Sequence, residues 1–255
     1  MANRWFPLLL VLLAGASGAH ATPSTVFWTP ATTYVQPFLV PHVTYDTYFS
    51  TRGAYPIDTG LTVGLLPFDA VQAEVGFDFN LPGPVRNGFL LNAKVGLVDG
   101  SLGAWCPGVS VGVYGVGTKK DVSTYDVLHA EVGKTFFFGN LTVGGYYGLS
   151  KVLLSDDRGN AHQLGLIAGY TSPDVPLGRV GLDKLVVVAD VQTGDNAFGA
   201  VGGGVSLYFT PAVGLLTGPM YFLNDRVQPG QASWMWSVQL DVDVDLRPRP
   251  AETSR

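Results

Sequence analysis

The sequence has 255 residues, of which 14% are charged and 47% are hydrophobic, and its net charge at pH 7 is −5. A typical soluble domain has about 25% charged residues, so this composition argues against an ordinary soluble domain. The single Cys106 excludes an intramolecular disulfide and, with four His, any CxxC-type zinc site. The pair Lys119-Lys120 is isolated, so the sequence has no basic patch for nucleic acid. We expect no cofactor, no metal and no nucleic-acid partner.

Residues 1–21 have the pattern of a cleaved secretory signal peptide. Arg4 and the amino terminus precede the apolar run at residues 5–14, and Ala19-His20-Ala21 is an A-x-A cleavage site. The apolar run is well short of the ~20 residues that a membrane-spanning helix requires. The sequence therefore predicts export, with cleavage before Thr22.

Residues 22–41 are rich in proline, with Pro23, Pro30, Pro37 and Pro41. Proline at this spacing forbids a helix or a central strand. We expect an extended periplasmic segment, which either enters the mouth of the fold that follows as a partial plug or remains a loosely ordered leader.

From His42 onward, segments of alternating apolar and polar residues recur. The clearest comes last, where Trp234, Trp236 and the following even positions are apolar while Gln239, Asp241 and Asp243 lie on the other face. A period of two is typical of a β-strand, and its length matches the roughly 9–11 residues of a tilted transmembrane strand. The predicted strands are 42–50, 59–66, 71–80, 88–98, 107–117, 123–135, 139–149, 160–171, 182–192, 198–210, 213–223 and 232–244.

The connections favour a bacterial outer-membrane barrel. Short turns follow even-numbered strands and longer polar loops follow odd-numbered ones, which matches the short periplasmic turns and long outer loops of such barrels. Two even connections, 99–106 and 172–181, are longer than this rule expects. The sequence thus predicts an all-β fold: a transmembrane antiparallel up-and-down β-barrel of about 12 strands, spanning residues 42–246 and followed by a C-terminal tail at residues 247–255.

Aromatic residues near the strand ends predict two interfacial girdles facing outer-membrane lipid. On the periplasmic side the predicted girdle residues are Phe68, Phe137, Tyr170 and Phe209, and on the outer side they are Phe49, Phe77, Tyr147, Tyr221, Trp234 and Trp236.

The polar faces of the strands predict the lining of a pore. The inward residues are Gln72, Glu74, Asp78, Asn92, Lys94, His129, Glu131, Asp190, Gln192, Ser206, Gln239, Asp241 and Asp243. Acids predominate, and a ring of acids favours cations. The alternative is that Lys, Arg and Tyr pair with these acids across a plugged lumen. A barrel of twelve strands has a lumen wider than that of a barrel of about 8 strands, which side chains fill, and narrower than the open channel of about 16 strands. Bulky solutes should therefore not pass.

A catalytic interpretation has little support. Twelve strands is also the size of the outer-membrane phospholipase, but His162 lacks the nearby Ser-Asn pair of that enzyme, and His129 faces the pore beside Glu131. We therefore expect no enzyme activity.

Four stretches carry a resemblance to a family: residues 24–30 (STVFWTP), 45–49 (YDTYF), 60–68 (GLTVGLLPF) and 92–96 (NAKVG). They resemble segments of uncharacterised bacterial outer-membrane β-barrel (porin-like) proteins. The resemblance implies fold and location and brings no assigned activity. Strands of such barrels often end in a C-terminal aromatic that the barrel-assembly machinery reads, whereas residues 247–255 follow the last strand here. We expect that machinery as a partner, with an internal or unconventional signal.

Together these patterns predict a narrow passive channel for small solutes or ions, mildly cation-preferring, in the outer membrane of the Gram-negative envelope. The alternative is a structural or surface-interaction barrel with a plugged lumen. A soluble exported lipocalin-like barrel and an outer-membrane lipase are the remaining alternatives.

Overall fold

The computed structural model describes residues 25–81, 88–178 and 181–248. The predicted signal peptide and most of the predicted C-terminal tail lie outside the described residues. The strands are β1 (Pro41–Phe49), β2 (Ile57–Gly64), β3 (Val71–Leu81), β4 (Phe89–Leu97), β5 (Gly108–Gly117), β6 (Val127–Phe136), β7 (Gly139–Gly148), β8 (Leu164–Thr171), β9 (Val175–Pro176), β10 (Lys184–Gln192), β11 (Ala200–Thr210), β12 (Val213–Phe222) and β13 (Trp234–Asp243). Two 3₁₀ helices, Asp225–Val227 and Pro229–Gln231, lie between β12 and β13.

Twelve of the thirteen strands form a closed antiparallel barrel. Each pairs with its neighbours along the chain, β10 pairs with both β8 and β11, and β1 closes the sheet against β13. The two-residue β9 only extends the pairing of β10 at Lys184 and Leu185. Closure leaves no barrel strand with an unpaired edge. The prediction of a barrel of about 12 strands is therefore confirmed.

Most strand boundaries lie within two residues of the predicted ones, but β6 and β8 each begin four residues later than predicted. β8 begins at Leu164 rather than at Asn160, because Asn160 is tied into a tight loop by a hydrogen bond from its Nδ2 to Asp156 Oδ2 (2.7 Å). β2 begins at Ile57, so Asp58, which the sequence pattern assigned to a loop, lies inside a strand.

The apolar faces of the strands point outward. On β13, Trp236 and Leu240 are 43% and 39% exposed, whereas the alternate residues Ser237 and Gln239 are 1% and 4% exposed. A soluble barrel places its apolar residues inside, so this distribution is the reverse of a lipocalin-like barrel. It matches the lipid-facing band and polar interior of a transmembrane barrel.

Among the described residues, no helix is both long enough and apolar enough to cross a membrane.

The connections differ between the two ends of the barrel. What we call the turn end carries residues 65–70, 98–107, 137–138, 172–178, 181–183 and 211–212, and the loop end carries residues 50–56, 88, 118–126, 149–163, 193–199 and 223–233. The turn end corresponds to the side that the sequence pattern predicts to be periplasmic.

Residues 25–40, which we call the N-terminal segment, lie inside the barrel. Phe27, Ala31 and Val35 in this segment are 2%, 0% and 2% exposed. Phe38 forms a bridge with Gly64 at the turn end, and Trp28 Nε1 donates to Phe198 O (3.0 Å) at the loop end. The segment therefore extends along the lumen between the two ends and fills part of its cross-section.

Candidate functional site: the lumen

One buried carboxylate holds the tip of the N-terminal segment. Val26 N donates to Thr29 O (3.0 Å), and this turn aims consecutive backbone N–H groups at β10. Asp190 Oδ2 accepts from the backbone N of Phe27, Trp28 and Thr29 at 3.0, 2.7 and 2.7 Å, and Asp190 is 4% exposed. Converging N–H groups form an anion-binding concavity, so the turn and Asp190 stabilise each other.

Further contacts fix the segment along its length. Gln239 Nε2 donates to Phe27 O (2.8 Å). Closer to the turn end, Gln36 N donates to Glu74 Oε2 (2.5 Å) and Gln36 Nε2 donates to Asp243 Oδ1 (3.2 Å). These contacts join the segment to β3 and β13, and Asp190 joins it to β10. Side chains that are distant in sequence therefore hold the segment in place.

Buried ion pairs accompany these contacts at the turn end. His42 lies between Asp241 and Asp243, with its Nε2 3.3 Å from Asp241 Oδ1 and its Nδ1 2.7 Å from Asp243 Oδ1. Lys94 Nζ lies 3.4 Å from Glu74 Oε1. The predicted inward acids here thus contact basic side chains, one of which is a histidine rather than the Lys, Arg or Tyr of the plugged-lumen alternative.

His129 and Glu131 form another buried contact, on β6. His129 Nδ1 lies 2.5 Å from Glu131 Oε1, and Ser110 Oγ donates to Glu131 Oε2 (2.6 Å). In a hydrolytic triad the histidine lies between the serine and the acid. Here the acid lies between the other two, so Ser110 is not activated by His129.

A cavity of about 590 Å³ occupies the rest of the lumen. Its walls are formed by the inner faces of β1 to β6, β10 and β13 and by Phe27, Trp28 and Pro30 of the N-terminal segment. Residues such as Phe198 and Gln228 line it at the loop end. The volume is in the range of about 300–1,000 Å³ that is usual for small-molecule sites. The seated segment therefore leaves room for a small solute.

Three carboxylates of the cavity wall have no cationic partner among the described residues. Asp46 on β1 lies directly opposite Asp58 on β2, and Asp78 on β3 lies opposite Gly60, two positions from Asp58. Within the described parts of the chain, no ion pair involves any of the three. Thr44 Oγ1 donates to Asp46 (2.8 Å) and Asn92 Nδ2 donates to Asp78. The cavity is therefore acidic.

Sequence reasoning missed several residues of this wall. His42, Thr44, Asp46 and Tyr48 share the inner face of β1, and their alternation with apolar Val43, Tyr45 and Phe49 carried the signal. Asp58 was missed because β2 begins earlier than predicted.

The predicted pore-lining residues all belong to the inner face, but they divide into two groups. Those that line the cavity are Glu74, Asp78, Asn92, Lys94, His129, Gln192, Gln239 and Asp241. Those that lie outside the cavity are Gln72, Glu131, Asp190, Ser206 and Asp243. Asp190 and Asp243 contact the N-terminal segment instead of open space.

The predicted girdle residues lie on the outer surface near both ends of the barrel. At the turn end Phe68, Phe137 and Phe209 are exposed, and Tyr170 Oη donates to Phe138 O (2.8 Å). At the loop end the exposed members are Phe49, Tyr147, Tyr221, Trp234 and Trp236, and Phe77 packs against Phe79 and Phe89.

Tyr55, in the loop after β1, also lines the cavity. Its Oη is buried and has no hydrogen-bond partner among the described residues. Burial raises the pKa of Tyr55 to about 12, so its hydroxyl stays protonated at neutral pH.

His162 lies in the loop at residues 149–163, next to two acids. Asp156, His162 and Asp195 are the only group of three acidic, His or Cys side chains among the described residues whose ligand atoms lie within 4.8 Å of one another. Asp156 is already an acceptor for the side chain and backbone of Asn160 and the backbone of Arg158, and these hydrogen bonds hold the pKa of Asp156 below its usual value. Asp156 therefore has a structural role in closing its own loop.

No protein-family model matches the chain. No curated protein matches it either. Among solved structures the chain is similar to the NanC porin, with a TM-score of 0.51 and 12% identity over 81% of this chain and 100% of that one. The chain shares its fold with porins. It is also similar to variants of the Rhodopseudomonas blastica porin, with a TM-score of 0.40 and 12% identity over 73% of this chain. The match spans 55% of that porin, about half of its length.

Proposed function

We propose that the protein is a porin-like channel of the bacterial outer membrane in which the N-terminal segment narrows the lumen to a passage that favours small cations. The observation that carries this proposal is the cavity beside the seated segment, with Asp46, Asp58 and Asp78 in its wall and no cation paired to them within the described residues. The protein performs no chemistry in this proposal and needs no cofactor.

The outer-membrane location is supported by the direction of the side chains. The barrel is closed, and its strands expose apolar residues outward. An apolar outer surface is favourable in contact with lipid and unfavourable in contact with water. The predicted signal peptide agrees with export. Outer-membrane lipid and the barrel-assembly machinery are the partners that follow from this location.

The preference for cations follows from the balance of charge along the cavity. The carboxylates of Asp46, Asp58 and Asp78 lie in a wall of low dielectric constant, and in their ionised form their field attracts cations and repels anions. Lys94 and His42 also line the cavity, but each is 3.4 Å or less from a carboxylate of its own. The two bases therefore do not offset the three unpaired acids.

The test is single-channel recording of the purified, full-length protein in planar bilayers under a KCl gradient. We expect a small conductance and a reversal potential that shows K⁺ passing faster than Cl⁻. The variant D46N/D58N/D78N should lose most of this preference. The matched control D69N/D121N/D183N removes the same charge from exposed positions outside the cavity, and it should keep the preference.

Folding of each variant is checked by the heat-dependent gel mobility typical of such barrels. A folded protein without any current would contradict the channel, as would a preference for K⁺ that the cavity variant leaves unchanged.

A surface-interaction barrel with a plugged lumen is the second candidate. It is favoured by the number of hydrogen bonds that seat the N-terminal segment, those of Asp190 above all. The absence of current from folded protein would support it over the channel.

A further inference from the structure

The unpaired carboxylates of the cavity form a compact patch. Residues directly opposite in an antiparallel pair have Cβ atoms about 4.5–5.5 Å apart, which is the relation of Asp46 to Asp58. A Cβ at Gly60 would collide with Asp78 Oδ1. The glycine therefore leaves space in which the Asp78 carboxylate lies over β2, on the side of Asp46 and Asp58. Like charges so close are unfavourable unless a cation joins them or a proton neutralises one of them.

An acceptor in this patch is left without a donor. Asp58 Oδ1 is buried and has no hydrogen-bond partner among the described residues, and Tyr55 Oη beside the same cavity is in the same state. A buried acceptor that has lost its hydrogen bond to water costs free energy. A ligand that brings an N–H donor or a positive charge into the cavity removes that cost.

Aromatic rings surround the patch at the loop end of the cavity. Trp28, Tyr48, Tyr55, Tyr114 and Phe198 line it, and the rings of Trp28 and Tyr48 meet edge to face with centroids 6.1 Å apart. The faces of aromatic rings attract cations, and cages of such rings beside a charge are the usual way to bind organic ammonium ions.

Among the described residues, the three carboxylates do not bring their oxygens within 4.8 Å of one another, as a shared metal ion would need. A calcium ion is held by six to eight oxygens at about 2.3–2.6 Å, so its ligands converge closely. Within the described residues, the group of three such ligand atoms lying within 4.8 Å of one another is in the loop with His162, not in the cavity. A larger cation with an apolar body fits the cavity better.

We propose that Asp46, Asp58 and Asp78, together with the rings of Trp28, Tyr48 and Tyr55, bind an organic ammonium ion. This inference rests on the proposed function, since it takes the cavity as the route of cations through the barrel, and it names the class of cation. The carboxylates neutralise the charge, and the rings cover the alkyl groups that carry it.

The test is calorimetric titration of the detergent-solubilised, full-length protein with choline. The uncharged analogue 3,3-dimethylbutan-1-ol has nearly the same shape and should not bind measurably, and Ca²⁺ should bind more weakly than choline. D46N/D58N/D78N should weaken choline binding at least ~10-fold, because it removes the three carboxylates that face the ammonium charge. The control D69N/D121N/D183N should bind choline as the native protein does.

A second pair of variants tests the rings. Y48L removes the ring and should weaken choline binding about fivefold, whereas Y48F keeps the ring and should bind within about twofold of the native protein. Equal losses in both variants would overturn the role of the ring.

The outcomes separate this inference from the proposed function. K⁺-selective current without choline binding, or tighter binding of Ca²⁺ than of choline, overturns the ammonium site and leaves the channel standing. Choline binding that depends on the three carboxylates, in a folded protein without current, supports the site and contradicts the channel.

Discussion

Asp190 accepts three backbone N–H groups through one oxygen while it is 4% exposed. A buried carboxylate is unfavourable unless hydrogen bonds replace its water, and here residues 27–29 supply them. Its other oxygen, Oδ1, has no partner in the described residues. The side chain is therefore suited to an anion and poorly suited to an amide.

D190N should loosen the N-terminal segment without unfolding the barrel. The substitution removes the charge and places an amide group where Oδ1 finds no partner, at an expected cost of ~2–3 kcal/mol to the seating of the segment. Hydrogen exchange measured by mass spectrometry should show faster exchange at residues 27–29 and unchanged protection in the strands. The control D183N changes an exposed carboxylate and should exchange as the native protein does. Unchanged protection of residues 27–29 in D190N would contradict the anchoring role.

For single residues, the sequence predicts which face of a strand a side chain lies on, but it does not predict which distant residue that side chain contacts. The period of two assigns the inward residues of β13, and the same reading of His42, Thr44 and Asp46 would have found the acidic wall of β1. The partner of His42 could not be read in this way, because Asp243 lies 201 positions away and depends on which strands meet at closure.

Among the elements, β1 and β13 form the seam that closes the barrel. His42 lies opposite Asp243 in this pair, and it contacts Asp241 as well, with all three side chains at most 5% exposed. The seam therefore joins two strands by buried charges in addition to backbone hydrogen bonds.

H42A should destabilise the folded barrel, because it leaves two buried carboxylates facing each other. Removing one partner of a buried ion pair typically costs about 3–5 kcal/mol. The midpoint of urea unfolding, followed by tryptophan fluorescence, should fall accordingly. The double variant H42A/D243N should recover part of the loss, since it removes one of the uncompensated charges. A midpoint equal to that of the native protein would show that His42 does not stabilise the seam.

The long connections at the turn end now have a structural explanation. Asp99, in the connection 98–107, accepts from Lys134 Nζ (2.7 Å) and from Thr135 N (2.9 Å), which ties the connection to β6. Partial burial acts to raise the pKa of Asp99, but these hydrogen bonds hold it below its usual value. The connection 172–183 contains β9. Neither feature follows from periodicity, since one depends on a contact with a distant strand and the other is only two residues long.

Some properties of the N-terminal segment follow from its own sequence, whereas others depend on residues that are distant in the chain. Its four prolines exclude a helix or central strand from the sequence alone. Its seat inside the lumen depends on Asp190, Gln239 and Glu74, which lie on three different strands. No local pattern could reveal that they converge.

For the whole molecule, the lumen has two parts with different roles. The N-terminal segment occupies one part and is held by paired or hydrogen-bonded acids, whereas the cavity occupies the other with three acids that have no cation among the described residues. The two alternatives that the sequence left open, a cation-favouring lumen and a plugged one, correspond to these two parts. In the channel proposed above, ions pass beside the segment while it remains seated.

A disulfide can lock the segment to the wall. A Cβ built on Gly108, at the turn end of β5, would lie 3.1 Å from Thr33 Cβ. Disulfides place their Cβ atoms about 3.5–4.5 Å apart, so a small adjustment suffices. The variant T33C/G108C, with C106S to remove the native thiol, therefore fixes the segment in its seat.

The most direct measurement is the K⁺ current through this locked protein in planar bilayers, before and after reduction of the disulfide. We expect that the disulfide forms in the folded barrel and that the oxidised and reduced proteins carry the same small, K⁺-selective current. A current that is absent in the oxidised protein and returns on reduction would contradict this expectation, because ions would then need the space that the segment occupies.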